Sequence, residues 1–275
     1  MATSGFASVE GANSTFNADE VKIFYQKYAT QSEGSPIETS PQLKLFTSTP
    51  TPKIERSSVA PIFDESGKIV STVNIGKNVV GTKSINLDSA SAAATGKICS
   101  VLVAVDEEYR AKHSDWQTLT TNIVEAADDA FNSNFGVDLS VTAYRYWFSS
   151  GSNSAEILDN LKGSGTDGYD FVTGFTAEPD FFTNGVQIGG KAYTYSSAPL
   201  YAAYSAVWDQ ASYGSNWHAL QHELSHNYSL EHDLPEGPTP VCIMNYGTMY
   251  QTTAWHTDHR TQLAAHVSWY GNNIN

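Results

Sequence analysis

Basic residues are scarce in this 275-residue chain, where 15 Lys and Arg stand against 29 Asp and Glu for a formal net charge of −14. Nucleic acid would demand a basic footprint, so that class of partner is excluded. No stretch approaches the ~20 consecutive apolar residues of a membrane-spanning helix. The opening residues, MATSGFASVEGANSTF, lack a basic region followed by an apolar core and do not read as a signal peptide. Cysteine is reduced to Cys99 and Cys242. These form either one bridge or two buried reduced thiols, and no Cys-His arrangement in the sequence marks either as a nucleophile. What remains is an ordinary soluble composition, 40% hydrophobic and 16% charged, long enough to bury a large core.

One passage concentrates the chemistry. Trp217 to Met244 reads WHALQHELSHNYSLEHDLPEGPTPVCIM, with His222-Glu223-Leu224-Ser225-His226 at its centre. Two histidines four apart on a helix project from one face, so both imidazoles reach a single metal while the adjacent glutamate stands beside the open coordination position. With His222 as reference, His226 lies at about 40° and Glu223 at about 100°, whereas Trp217, Leu220, Leu224 and Tyr228 fall at roughly 160° to 240°. The apolar and chemical groups thus take opposite faces. His232, six residues after His226, supplies a third imidazole. Three imidazoles and a water make an open zinc site; a closed structural site would need a fourth protein ligand. The run Asp233-Leu234-Pro235-Glu236-Gly237-Pro238 opposes further helix, so His232 is reached after the helix ends.

The pattern His222-Glu223-x-x-His226-x-x-Ser229-x-x-His232, followed by Cys242-Ile243-Met244-Asn245-Tyr246, resembles the metzincin clan of zinc metallopeptidases. The resemblance extends over about 99–275 in element order, and residues 222–246 are its diagnostic part. Ser229 departs from it, because the clan has glycine there, which takes positive φ without a Cβ penalty. Serine predicts a non-glycine in the left-handed region or a different bend. The resemblance implies an α/β (α+β) catalytic domain with a twisted mixed sheet, a long backing helix, an active-site helix and a smaller C-terminal subdomain. It implies Met244 as an apolar base beneath the imidazoles, Asp233 in an orienting role, and Tyr246 as a hydroxyl that binds zinc at rest and swings to the developing oxyanion, against simple packing. It places an edge strand at Gly189 to Ser196 that would accept an extended peptide as an additional strand, and an S1′ pocket lined from the segment holding Thr248, Met249 and Tyr250.

Along the chain, residues 1–96 differ in composition from 97–275 and are expected to form a separate N-terminal region. It contains a short helix around Ala18 to Tyr28, a Ser/Thr/Pro-rich stretch from Ser35 to Pro52, a hairpin in which Ser57 to Phe63 and Lys68 to Val73 flank Asp64-Glu65-Ser66-Gly67, and a flexible join, SASAAATG, at Ser89 to Gly96. The clan resemblance implies a prodomain that covers the cleft; since no cysteine precedes Cys99, an acid such as Asp64 would be the zinc-blocking group. The other reading is an accessory leader.

Ile98 to Val105 reads as a buried strand. Asp106-Glu107-Glu108 after it is either a solvated strand end or a calcium ligand set. Ser114 and Gln117 have capping-box spacing ahead of a helix carrying Trp116, Leu119, Ile123, Ala127 and Phe131 and closed by Gly136. Strands follow at Val137 to Ala143, Tyr169 to Phe175 and Ala202 to Trp208, with a second helix capped at Ser154. The final segment, Trp255 to Trp269, reads as a helix on which His256, His259 and His266 do not form a ligand pattern.

The expected function is a zinc-dependent endopeptidase acting on extended polypeptide substrates, with one catalytic zinc on His222, His226 and His232, and Glu223 taking the proton of the metal-activated water. It would be secreted and held latent as a proenzyme by intramolecular inhibition from the N-terminal region. The alternative is a zinc-containing binding or structural module without catalysis. Substrate preference and oligomeric state are not encoded in these patterns.

Overall fold

The nine residues KICSVLVAV, Lys97–Val105, form the central strand β3 of a sheet because nearly every side chain is apolar and parallel neighbours lie on both sides. In this computed structural model, which describes residues 59–75, 97–164 and 168–271, β3 pairs with β4 (Val137–Tyr146) and β5 (Phe171–Thr176). The sheet extends through β9 (Ala203–Trp208) and ends in β8 (Gly190–Ala192). On the other side β4 meets β1 (Val59–Phe63), which forms a hairpin with β2 (Ile69–Asn74). The order is β2-β1-β4-β3-β5-β9-β8; β2 and β8 are the antiparallel members of an otherwise parallel sheet. A two-stranded ribbon, β6 (Phe182–Thr183) and β7 (Val186–Gln187), stands apart.

Successive residues of β3 feed different cores. Val101, Val103 and Val105 join the larger apolar cluster and Leu102 and Ala104 the smaller one, the period-2 alternation of a strand buried on both faces. The larger cluster holds Ile123, Val124 and Phe131 of α2 (Trp116–Phe135) and Leu220 and Leu224 of α4 (Tyr213–Asn227). The smaller cluster holds Ile157, Leu158 and Leu161 of α3 (Ser154–Gly163). Helices therefore cover both faces. After α4 a smaller, mostly irregular C-terminal unit ends in α5 (Thr257–His266) and a 3₁₀ turn, Val267–Trp269. The mixed sheet, backing helix, active-site helix and smaller subdomain agree with the expected α/β class.

Several local expectations change. Asp115, not Ser114, occupies the N-cap of α2 and makes no side-chain cap bond; Trp116 N donates to His113 O at 3.2 Å instead. Gly136 closes α2 in the left-handed region (φ 66°) as expected. Asn153 rather than Ser154 caps α3, its Oδ1 accepting from Ala155 N and Glu156 N. Asp106 is a fully buried cap of the short helix α1 (Glu107–Lys112), its Oδ1 accepting from Tyr109 N at 2.8 Å and Ala177 N at 3.3 Å, so it is not the solvated strand end of the first reading. Cys99 and Cys242 are both free and buried, the second of the two readings. The hairpin exists, with Asp64 Oδ1 accepting from Ser66 N and Lys68 N in its turn. It sits on the sheet edge opposite β8, so Asp64 is occupied far from the histidines. Residues 18–28, 35–52 and 89–96 lie outside the described residues.

Candidate metal centre

Helix α4 begins where Ser212 accepts from Ser215 N, and its apolar side, Leu220, Leu224 and the following Tyr228, sinks fully into the core. That anchoring turns His222, Glu223 and His226 toward the cleft bordered by β8. The helix ends in a Schellman arrangement: Leu230 N donates to Ser225 O at 3.2 Å and Ser229 N to His226 O at 2.8 Å. Ser229 takes φ 75°, a non-glycine in the left-handed region, the first of the two readings its departure from glycine allowed. Gln262 Nε2 donates to Ser229 O at 2.7 Å, tying the bend to α5. The reversal brings His232 back over α4.

The three Nε2 atoms converge. His222 and His226 are 3.1 Å apart, His222 and His232 3.1 Å, and His226 and His232 3.0 Å. His222 Nδ1 lies 2.8 Å from Ile243 O and His226 Nδ1 2.7 Å from Leu230 O. A carbonyl only accepts, so both Nδ1 atoms carry the protons and both Nε2 atoms present lone pairs. Burial holds His222 well below the ordinary imidazole range, His226 at about 4 and His232 at about 3. Three neutral imidazoles aimed at one point repel unless a cation lies among them. Zinc–nitrogen bonds of about 2.0–2.1 Å in a tetrahedron separate the nitrogens by about 3.3 Å. The donor set and its spacing therefore fit zinc.

Glu223 is nearly buried, and burial raises its carboxyl to about 8 against the opposing pull of Lys191. Its side chain packs on Gly190 of β8, where an added Cβ would come within 2.5 Å of Oε1. The sequence marked Gly190 only as part of the edge strand; this closeness exists only once β8 is seated on β9. Tyr246 Oη is 2.8 Å from His232 Nε2, at the mouth of the cluster. Met244 is fully buried in the larger core, and its carbonyl accepts from Asp233 N at 3.0 Å. Asp233 turns away from the three imidazoles, its Oδ1 2.8 Å from His256 Nε2. Of the segment expected to line S1′, Met249 reaches the cleft, whereas Thr248 is bonded to Cys242 and Tyr250 to Gln210.

The cleft measures ≈ 260 Å³ and is walled by Gly190, Lys191 and Ala192 of β8 opposite His222, Glu223, His226, His232 and Tyr246. His256 and His259, which sequence spacing gave no reason to join, come together with Asp233 and Cys242 in a second cluster. No regular pattern announces that cluster, because its members meet across irregular chain.

The sequence profile described as metallo-peptidase family M12 matches residues 95–257. No curated protein matches the chain at a significant level. Among solved structures, a chaperone–substrate complex is similar with a TM-score of 0.50 and 14% identity, covering 66% of this chain and 36% of that one. This chain thus spans little more than a third of that relative's length, and at such identity the likeness shows fold alone. Archaemetzincin from Methanopyrus kandleri gives a TM-score of 0.44 and 17% identity, over 62% of this chain and 96% of its own.

Proposed function

The chain belongs to metallo-peptidase family M12, and from that premise we propose that it is a zinc-dependent endopeptidase that hydrolyses extended polypeptides. The observation that carries the reading is the meeting of three Nε2 atoms within 3.1 Å of one another beside a buried carboxyl on the wall of an open cleft.

His222, His226 and His232 would hold the ion, which supplies, when bound, a water of lowered pKa and a polarised scissile carbonyl. Glu223 takes the water proton and delivers it to the leaving amine. Tyr246 donates its hydroxyl to the developing oxyanion, a bond stronger in the transition state than in bound substrate. Met244 backs the imidazoles from the core. β8 ends the sheet, so its outer backbone groups can pair with an extended substrate lying along the cleft. Backbone pairing selects extended conformation rather than particular side chains.

The test is cleavage of an unfolded protein by the full chain, abolished by a chelator and restored by zinc. Glu223→Gln should bind zinc stoichiometrically and lose nearly all cleavage. A Glu223→Gln variant cleaving normally would remove that residue from the mechanism, and a zinc-loaded wild type without cleavage would favour the non-catalytic module.

Latency is a further part of the proposal: residues 1–96 form an N-terminal region that restrains the peptidase. Because the hairpin at 59–74 is built into the sheet away from the cleft, the proposed blocking group belongs to residues 1–58. Removing residues 1–58 should then raise activity; equal activity before and after counts against inhibition. Secretion fits a peptide-hydrolysing enzyme of this composition, and failure to find the chain outside producing cells would refute it.

A further inference from the structure

Beneath the candidate catalytic centre lies a second convergence of metal-binding side chains. Asp233, Cys242, His256 and His259 each offer a donor atom, and these atoms all lie within 4.8 Å of one another. Cys242 Sγ is 3.4 Å from His259 Nδ1, which is 3.7 Å from Asp233 Oδ2. His256 Nε2 is 2.8 Å from Asp233 Oδ1. Cys242 is fully buried, and Asp233 and His259 are each 8% exposed.

Hydrogen bonding alone does not account for the group. Asp233 Oδ2 is buried with no full-strength hydrogen bond: its neighbours are the Cys242 thiol, a weak donor, and His259 Nδ1 at 3.7 Å. A buried acceptor without a full hydrogen bond carries an uncompensated desolvation cost, larger when it is charged. A cation between Oδ2, Sγ and Nδ1 removes that cost. Tetrahedral zinc, with bonds of about 2.0–2.3 Å, separates neighbouring donors by about 3.3–3.6 Å, close to the distances seen. Sulfur, imidazole and carboxylate together favour zinc over the oxygen-seeking calcium or magnesium. Met244 N also points at Cys242 Sγ, at 3.4 Å, and would support a thiolate.

We infer that Asp233, Cys242, His256 and His259 form a second, structural zinc site. Four protein donors leave no open position for chemistry. On binding, Cys242 releases its thiol proton to solvent. His256 shifts its proton from Nε2 to Nδ1, giving up the 3.2 Å bond it accepts from Asp258 N. The site joins the start of α5 to the residues that flank the catalytic set: Asp233 follows His232, and Cys242 precedes Met244 by two. It therefore fixes the third imidazole and the turn beneath it. The inference does not depend on peptidase activity, and its readouts involve no cleavage.

Metal analysis of the full chain after equilibration with zinc should give about two ions per chain. Cys242→Ser and His222→Ala should each give about one. Cobalt provides a site-specific probe, because only the second site contains sulfur. Thiolate-to-cobalt charge-transfer absorption should appear in the wild type, persist in His222→Ala and vanish in Cys242→Ser. Should Cys242→Ser fail to fold, wild-type stoichiometry and the band in wild type and His222→Ala decide the matter. About one ion per wild-type chain, or no sulfur absorption with cobalt bound, would overturn the second site and leave a hydrogen-bonded cluster.

Discussion

The parallel strands β3, β5 and β9 and the irregular segment 228–256 are both deeply buried, but they satisfy their backbones differently. In the strands most interior peptides find their partners in ladders, with Ser100 N and Tyr204 N turned instead to the side chains of Asp170 and Tyr195. The segment contains one 3₁₀ turn, Met249–Gln251, yet Tyr228, Leu230, Cys242, Ile243, Met244 and Asn245 are fully buried. Several of its carbonyls are met by side chains. His222 Nδ1 donates to Ile243 O, His226 Nδ1 to Leu230 O, Asn245 Nδ2 to Gly237 O and Pro240 O, and Gln221 Nε2 to Thr253 O. Buried backbone groups must be paired, and here polar side chains replace a strand partner. Two candidate metal ligands are thus also struts of the loop that surrounds them. The sheet concentrates ladder-bonded core, and the segment concentrates the candidate metal ligands and their supports.

The largest expected effect that separates the two regions is in the sheet. Phe171 is fully buried between Tyr228 and Tyr270, with ring centroids at 5.9 and 4.4 Å. Phe171→Ala should lower the unfolding free energy by about 3–5 kcal/mol through lost burial and a residual cavity, read from denaturant titration. A loss below about 1 kcal/mol, small beside typical core truncations, would show that the core around β5 is not where stability resides. Tyr246→Phe addresses the segment. With the hydroxyl removed and the ring kept, kcat should fall by about 10²–10³-fold, as for loss of one oxyanion donor, while KM and the denaturation midpoint hardly move. An unchanged kcat would assign Tyr246 to packing.

How far each region was legible in the sequence follows from the same contrast. β3 and α2 announce themselves because periodicity is local: consecutive residues of KICSVLVAV and the Ile123–Ala127–Phe131 spacing report burial directly. His222, Glu223 and His226 are readable for the same reason, and His232 because its spacing matches a known pattern. Cys242 and His259, seventeen residues apart across irregular chain, are not. Their meeting depends on the bend at Ser229 and the seating of α5, which no local period encodes. Ser114 was misread as a cap because side-chain capping competes with backbone turns, and the turn at His113 prevailed. Gly190 is legible as part of the edge strand but not as a neighbour of Glu223, because that contact depends on how β8 seats against α4. Gly190→Ala should force the Glu223 carboxyl aside and lower kcat by about 10²-fold, the cost of roughly ångström-scale misplacement, with zinc content retained. Full activity would mean that Glu223 has room the packing at β8 does not show.

The smallest expected effect lies at the junction between the two regions. Ser229 holds a left-handed backbone, φ 75°, at the point where α4 ends and the segment begins. An L-residue there costs roughly 1–2 kcal/mol through the approach of Cβ to the carbonyl oxygen. Glycine would remove that cost but add about 0.5–1 kcal/mol of chain entropy to be lost on folding. Ser229→Gly should therefore stabilise the chain by roughly 0.5–1 kcal/mol, the difference between those terms, seen as a raised denaturant midpoint with an unchanged m-value. The bonds Ser229 N to His226 O and Leu230 N to Ser225 O involve backbone alone and survive the change, so zinc affinity should stay constant. A destabilised variant, or one with weaker zinc binding, would mean that the serine side chain itself holds the bend.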